Sequence, residues 1–261
     1  MRLWSILFLV FVSSVHGQSI FINSYAFSAP SSLNISLVSF WSLEEASGTR
    51  FDGEPTPTVQ DLTDNNTVTQ VAGIVGNAAF FTAANSEFLS HADSTELSRG
   101  DFDWTITGWS KALTLTGSET IASQWSVTPS QQRSWRLWFN SGTGKYTFSV
   151  SPDGIASTDL QDTVFGTPST NTWDFHVIIH DSVNNQISIQ TNAGTPNTLG
   201  YSTGIHDSTG PFDIGARGTA GADFWNGALD QIGIWNRVLT AAEITALYGG
   251  GTNPPTCCPF P

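Results

Sequence analysis

Two groups of side chains in this sequence could carry chemistry: carboxylates spaced along strands, and tryptophans interleaved with polar groups. Cleaving a glycosidic bond takes two carboxyl groups ~5–9 Å apart. Acids two positions apart on a strand project to one face and could supply such a pair. Asp101-Phe102-Asp103 has that spacing but offers only two acids at a strand start, and Glu44-Glu45 are neighbours that point opposite ways. His176 and His180 share one strand face with no third ligand in sight, and read as ordinary strand residues. No nucleophile elbow supports Ser-His-Asp catalysis. No catalytic residue is assigned, and the chain reads as non-enzymatic.

The aromatic residues make the stronger case. Sugars are held by rings that stack on their apolar faces and by polar groups aimed at their hydroxyls. In Ser134-Trp135-Arg136-Leu137-Trp138-Phe139-Asn140, alternation puts Trp135, Leu137 and Phe139 on one face and Arg136, Trp138 and Asn140 on the other. The first set reads as core and the second as accessible surface. Trp125, with Gln124 beside it, is expected on the neighbouring strand. Trp125, Arg136, Trp138 and Asn140 are therefore the candidate ligand-binding residues.

These residues need a rigid frame, and the composition favours strands. Of 261 residues, 10 are Trp and 17 Phe, with 24 Gly and only 12% charged. Short runs of strand formers recur from residue 78 onward: 78–81, 87–90, 103–109, 120–125, 134–140, 146–151, 173–180, 186–190, 212–215 and 228–235. Turn clusters such as Asn140-Ser141-Gly142-Thr143-Gly144 separate them. An earlier strand spans 37–43. The spacing predicts an all-β, antiparallel two-sheet sandwich. Glu44 to Gly76 is long and turn-rich, and is expected to wrap an edge or hold an ion. One short C-terminal helix is predicted over Ala241–Tyr248. Thr240 and Glu243 have the capping-box spacing, and Gly249 is placed to end it.

Charge and termini narrow the partners. Nine basic residues against 22 acidic ones give a net charge of −13, which repels polyanions and argues against nucleic acid. Arg2 and the apolar run Leu3–Val12 read as a secretory signal cleaved after Gly17. The run is about half the ~20 residues needed to span a bilayer, so no membrane insertion is expected. The division expected is a signal peptide at 1–17, a linker at 18–35, one domain at 36–249 and a flexible tail at 250–261. Cys257 and Cys258 are adjacent in that tail, where a strained ring, free thiols or an intermolecular bridge are all open. Asn34-Ile35-Ser36 and Asn65-Asn66-Thr67 match the N-glycosylation pattern.

Four landmarks in order carry a family resemblance. Leu37-Val38-Ser39-Phe40-Trp41-Ser42-Leu43 resembles the opening strand of LamG-like jelly-roll domains of the concanavalin A-like lectin/glucanase superfamily. Ala72-Gly73-Ile74-Val75-Gly76-Asn77-Ala78-Ala79-Phe80 and Phe102-Asp103-Trp104-Thr105-Ile106-Thr107-Gly108-Trp109 are similar to the next two. The most specific runs from Phe224-Trp225-Asn226-Gly227-Ala228-Leu229-Asp230 through Thr240 into the helix. The resemblance implies a jelly roll of two packed antiparallel sheets. It also implies a possible structural Ca²⁺, carried over onto Asp52 and Asp230, although Glu54-Pro55-Thr56-Pro57 departs from the usual turn after Asp52. The alternating acids of the glucanase branch are missing. The expected function is a secreted module that binds a glycan or glycosylated surface. A protein-adhesion or structural module without sugar specificity is the alternative, and a divergent glycoside hydrolase is the second.

Overall fold

The computed structural model describes residues 32–54, 58–128, 130–192, 194–218 and 222–249. The expected signal peptide, most of the linker, and the tail with its two cysteines lie outside these residues. The strands in chain order are β1 (Leu37–Trp41), β2 (Thr63–Asn65), β3 (Thr69–Ala72), β4 (Asn77–Phe81), β5 (Phe88–His91), β6 (Trp104–Ala112), β7 (Glu119–Ser126) and β8 (Gln132–Asn140). They continue with β9 (Lys145–Val150), β10 (Thr158–Gln161), β11 (Asp174–Asp181), β12 (Gln186–Thr191), β13 (Asn197–Gly200), β14 (Phe212–Ile214) and β15 (Gly227–Trp235). The helix α1 spans Ala241–Tyr248.

The strands form two antiparallel sheets. One has the order β13-β12-β11-β6-β15-β4-β3, with β1 also pairing with β15; the other has the order β10-β9-β8-β7-β14-β5-β2. The stretch from Glu44 to Gly76 supplies an edge strand to each sheet, β2 to one and β3 to the other. β15 is shared: Gly227–Leu229 pair with β4, and Ile232–Trp235 pair with β1. The switch falls at Gln231, whose φ of 50° marks a bulge.

The two sheets bury their facing side chains against each other. Trp41 stacks on Phe212 at 5.1 Å, Phe212 touches Trp135 at 6.0 Å, and Trp135 touches Trp104 at 6.0 Å, a line of rings across the interior. Such pairs each add about 0.5–1.5 kcal/mol beyond burial. The eight-stranded sheet is covered on its outer face as well. Leu33, Leu37, Phe40, Trp109, Phe175, Trp235 and Leu239 pack there with Ile244 and Leu247 of α1. β15 is accordingly buried along its whole length. Gly233 is required by that crowding, because a Cβ there would lie 2.5 Å from the Trp235 ring.

The cover over this face is fastened by charge. Thr240 and Glu243 form the capping box, and Gly249 closes the helix with a left-handed backbone. Glu243 also takes two hydrogen bonds from Arg237, at 2.8 Å each, and one from Ser32 at 2.5 Å. Ser32–Asn34 form a 3-10 turn whose Leu33 carbonyl accepts from the Trp235 indole at 2.6 Å. The outer face of the seven-stranded sheet has no such helical cover among the described residues, and this face holds the candidate site.

Candidate functional site

The register of the seven-stranded sheet sets one polar residue from each strand side by side: Asp159, Ser149, Arg136, Ser123, Asp213, Ser90 and Thr63. Their neighbours Leu160, Phe148, Leu137, Ala122, Ile214, Leu89 and Leu62 point the other way, to the core. Strict alternation therefore builds a polar outer row on an apolar inner one.

The open part of this face lies over β8, β9 and β10. Trp138 is half-buried there, and its indole N–H donates to Ser149 Oγ at 2.8 Å. Ser149 in turn donates to Asp159 at 2.7 Å. The Arg136 guanidinium lies over the Trp138 ring, 4.2 Å from its centroid. Arg136 Nε donates to Thr120 at 3.0 Å and its Nη2 to Asp223 at 2.6 Å. Arg217 Nε also approaches Asp223, at 3.1 Å, so two guanidiniums share one carboxylate. Burial lowers Arg136 from its usual value to about 10, with Asp223 opposing the shift, so it stays charged at neutral pH. The result is a fixed indole beside an acidic, hydroxyl-bearing strip.

The four expected ligand residues are not equivalent. Trp138 is on the outer face, as alternation required. Arg136 shares that face but is only 5% exposed, because Asp223, Thr120 and the Trp138 ring enclose it. It positions the ring and is not itself an accessible surface. Asn140 caps the β8–β9 turn by accepting from the Gly142 amide at 3.0 Å. Trp125 does lie on the neighbouring strand, but a bulge at Gln124/Trp125 pairs it with Arg133, whose guanidinium covers its ring at 5.7 Å. It is 6% exposed and stands apart from Trp138. Asp159, Ser149, Asp223 and Arg217 went unread in the sequence. Asp223 is 87 residues from Arg136, and the loop before β15 brings them together, its Asp223 carbonyl accepting from the Thr120 amide at 2.7 Å.

The candidate catalytic acids each have other partners. Asp103 is a knot for the β11–β12 turn, taking the amide and hydroxyl of Ser182 at 2.8 and 2.7 Å. Asp101 is exposed beside His180, at 3.7 Å. Glu44 takes the Asn77 amide and Glu45 the Phe51 amide, in different turns. On the polar row, Asp159 and Asp213 are four strands apart, about 19 Å at the usual strand spacing and too far to share one bond. His176 is wholly buried between Ser110, at 2.8 Å, and the Tyr146 ring, at 4.3 Å. Burial lowers its pKa to about 3, so it is neutral.

Asp52 and Asp230 each hold a loop through backbone amides, and Asp230 does so with one oxygen while the other has no hydrogen-bond partner among the described residues. Asp52 spends both oxygens on backbone amides: Phe40 and Glu54 at 3.0 Å each, and Gln60 at 3.2 Å. Asp230 takes the amides of Ile74 and Val75 at 2.9 and 3.2 Å, and burial raises its pKa to about 7. Gly73 permits this approach, since a Cβ would lie 2.5 Å from the carboxylate. Among the described residues, no three His, Cys, Asp or Glu side chains converge as a metal site. Both residues serve as loop anchors.

A family model described as the concanavalin A-like lectin/glucanases superfamily, of laminin G type, matches residues 82–245. No curated protein sequence matches the chain. Among solved structures, the binding domain of paraclostridial mosquitocidal protein 1 is similar with a TM-score of 0.64 and 15% identity, over 83% of this chain and 52% of that one. Domain 4 of AbnA, an extracellular arabinanase from Geobacillus stearothermophilus solved with arabinotriose, has a TM-score of 0.55 and 16% identity, over 80% and 97%. Trypanosoma rangeli sialidase, in complex with sialic acid, has a TM-score of 0.57 and 15% identity, over 82% and 32%. The chain thus spans about half the length of the mosquitocidal binding domain. At these identities the likeness establishes the fold.

Proposed function

Because this chain belongs to the concanavalin A-like lectin/glucanases superfamily, we infer that it is a non-catalytic binding module whose outer seven-stranded face receives a carbohydrate. The observation that carries this reading is Trp138. Its indole N–H is fixed to Ser149, Arg136 supports its ring, and the residue is only half-buried. A ring held in one orientation stacks on a sugar without first losing side-chain freedom. Asp159, exposed at the sheet edge, stands ready to accept from sugar hydroxyls. Neutral sugars suit a net charge of −13 better than polyanions do.

Secretion belongs to the same reading. Arg2 and the apolar run Leu3–Val12 support it, and no helix among the described residues is long and apolar enough to cross a membrane. The four-strand separation of Asp159 and Asp213 supports binding over hydrolysis by that pair. Probing the full chain on a glycan array tests the function. Retention of one glycan class is expected, and silence across all classes while a protein partner binds would favour the adhesion alternative.

A further inference from the structure

Asp213 is the middle residue of β14, and its neighbours Phe212 and Ile214 enter the core. Its carboxylate therefore faces outward, yet it is 0% exposed. The chain that follows β14 folds back across it. Ser123 Oγ donates to the Ala216 carbonyl at 3.1 Å, and the Arg217 amide donates to Ala222 at 3.0 Å. Gly218, at φ +69°, lies so close to β7 that a Cβ would sit 3.2 Å from the Trp125 carbonyl.

Beneath this cover the carboxylate is poorly satisfied. The Gly218 amide is directed at it, but neither oxygen completes a hydrogen bond. No ion pair among the described residues reaches it, because Arg136 and Arg217 both turn to Asp223. Its register neighbours are Ser90 on one side and Ser123 on the other. Neither hydroxyl bonds to the carboxylate, and the Ala216 carbonyl stands over Ser123. A buried charge in this position needs either a proton or a counter-ion. Burial pushes the carboxyl up to about 8, so its proton is exchangeable near neutrality.

We propose that Asp213 anchors a binding site for a hard, oxygen-seeking cation, completed by the Ser90 and Ser123 hydroxyls and the Ala216 carbonyl. All the donors are oxygens, which selects group 1 and group 2 ions over zinc or copper. One carboxylate balances one positive charge, which favours sodium or potassium over calcium. Binding exchanges the carboxyl proton, released to solvent, for the metal ion. The ion would tie the loop after β14, and with it Asp223, to the sheet that carries Trp138.

Melting of the full chain at about pH 8.5, where the carboxyl is largely ionised, tests the site. Sodium, potassium and calcium chloride are compared with tetramethylammonium chloride at matched ionic strength. At least one metal salt should raise the melting temperature by about 3 °C or more, and Asp213→Asn should abolish that rise. A response to sodium or potassium alone assigns a monovalent ion, and a response to calcium alone assigns a divalent one. Equal melting of the wild type in all four salts, or an undiminished rise in Asp213→Asn, overturns the proposal. Should Asp213→Asn fail to fold, wild-type crystals soaked in thallium(I) or terbium(III) decide. An anomalous peak against the Asp213 carboxylate supports the site, and its absence with both ions overturns it.

Discussion

The guanidinium of Arg136 lies 4.2 Å over the Trp138 ring while its Nη2 donates to Asp223 at 2.6 Å. Three strands and one loop thereby fix a single indole. β8 supplies Arg136 and Trp138, β9 supplies Ser149, β7 supplies Thr120, and the loop before β15 supplies Asp223. The charge that holds the ring is almost entirely buried, so its partner governs stability as well as geometry.

Replacing Asp223 by Ala leaves Arg136 buried without its ion pair. Removing one partner of a pair buried this deeply costs about 3–5 kcal/mol. The pair is partly open on the Asp223 side, at 26% exposure, so the lower part of that range is expected. Urea unfolding of Asp223→Ala measures the loss, and a cost below about 0.5 kcal/mol would show that Arg136 holds its place without Asp223.

The helical cover depends on Glu243, which serves the capping box, both Arg237 nitrogens and Ser32. Thr240→Ala should cost about 1 kcal/mol through the cap alone. Glu243→Ala should cost about 2–3 kcal/mol, because it also frees Arg237. If the two variants unfold at the same urea concentration, the Arg237 and Ser32 bonds contribute nothing measurable.

Stability should fall as pH rises from about 6.5 to 8.5. Burial raises Asp213 to about 8, Asp230 to about 7 and Glu119 to about 7. Each is ionised in the unfolded chain above pH ~4 but prefers its proton in the folded one. Their stabilisation is complete below the unfolded value and lost as pH climbs through the folded value. His176, lowered to about 3 by burial, works oppositely. Its stabilisation is complete above about 6.5 and lost as pH falls toward 3, so it does not oppose the alkaline loss. The combined drop is on the order of 2–4 kcal/mol, read from urea midpoints in tetramethylammonium buffer. Glu119→Gln should flatten part of it, and a stability that climbs across this window would contradict the assignment of buried neutral acids.

Asp52 accepts from three backbone amides. Asp52→Asn weakens acceptors for the Phe40, Glu54 and Gln60 amides and should cost about 1–3 kcal/mol. The loss should be equal in EDTA and in calcium. A loss seen only with calcium present would identify Asp52 as a ligand after all.

What the sequence made legible follows from the range of each interaction. The helix was readable to its ends, because Thr240, Glu243 and Gly249 set them within a single short segment. The long strands were readable because Trp135, Leu137 and Phe139 alternate with polar residues and one whole face is buried. The strands β2, β3, β10 and β13 were not. Thr63-Asp64-Asn65 and Thr158-Asp159-Leu160-Gln161 are polar and lie at sheet edges, where only one neighbour holds them. Trp138 was legible as an outer-face ring by parity. Its partners were not, because Asp159 reaches it only through cross-strand register and Asp223 only on a loop 87 residues from Arg136. Trp125 was misplaced by a bulge that parity cannot foresee.

The most direct measurement compares wild type and Trp138→Ala on a glycan array, with matched melting curves to confirm that both are folded. The expected result is that wild type retains one glycan class and that Trp138→Ala binds it at least about tenfold more weakly. Glycan binding that survives unchanged in a folded Trp138→Ala would contradict a carbohydrate site on this face.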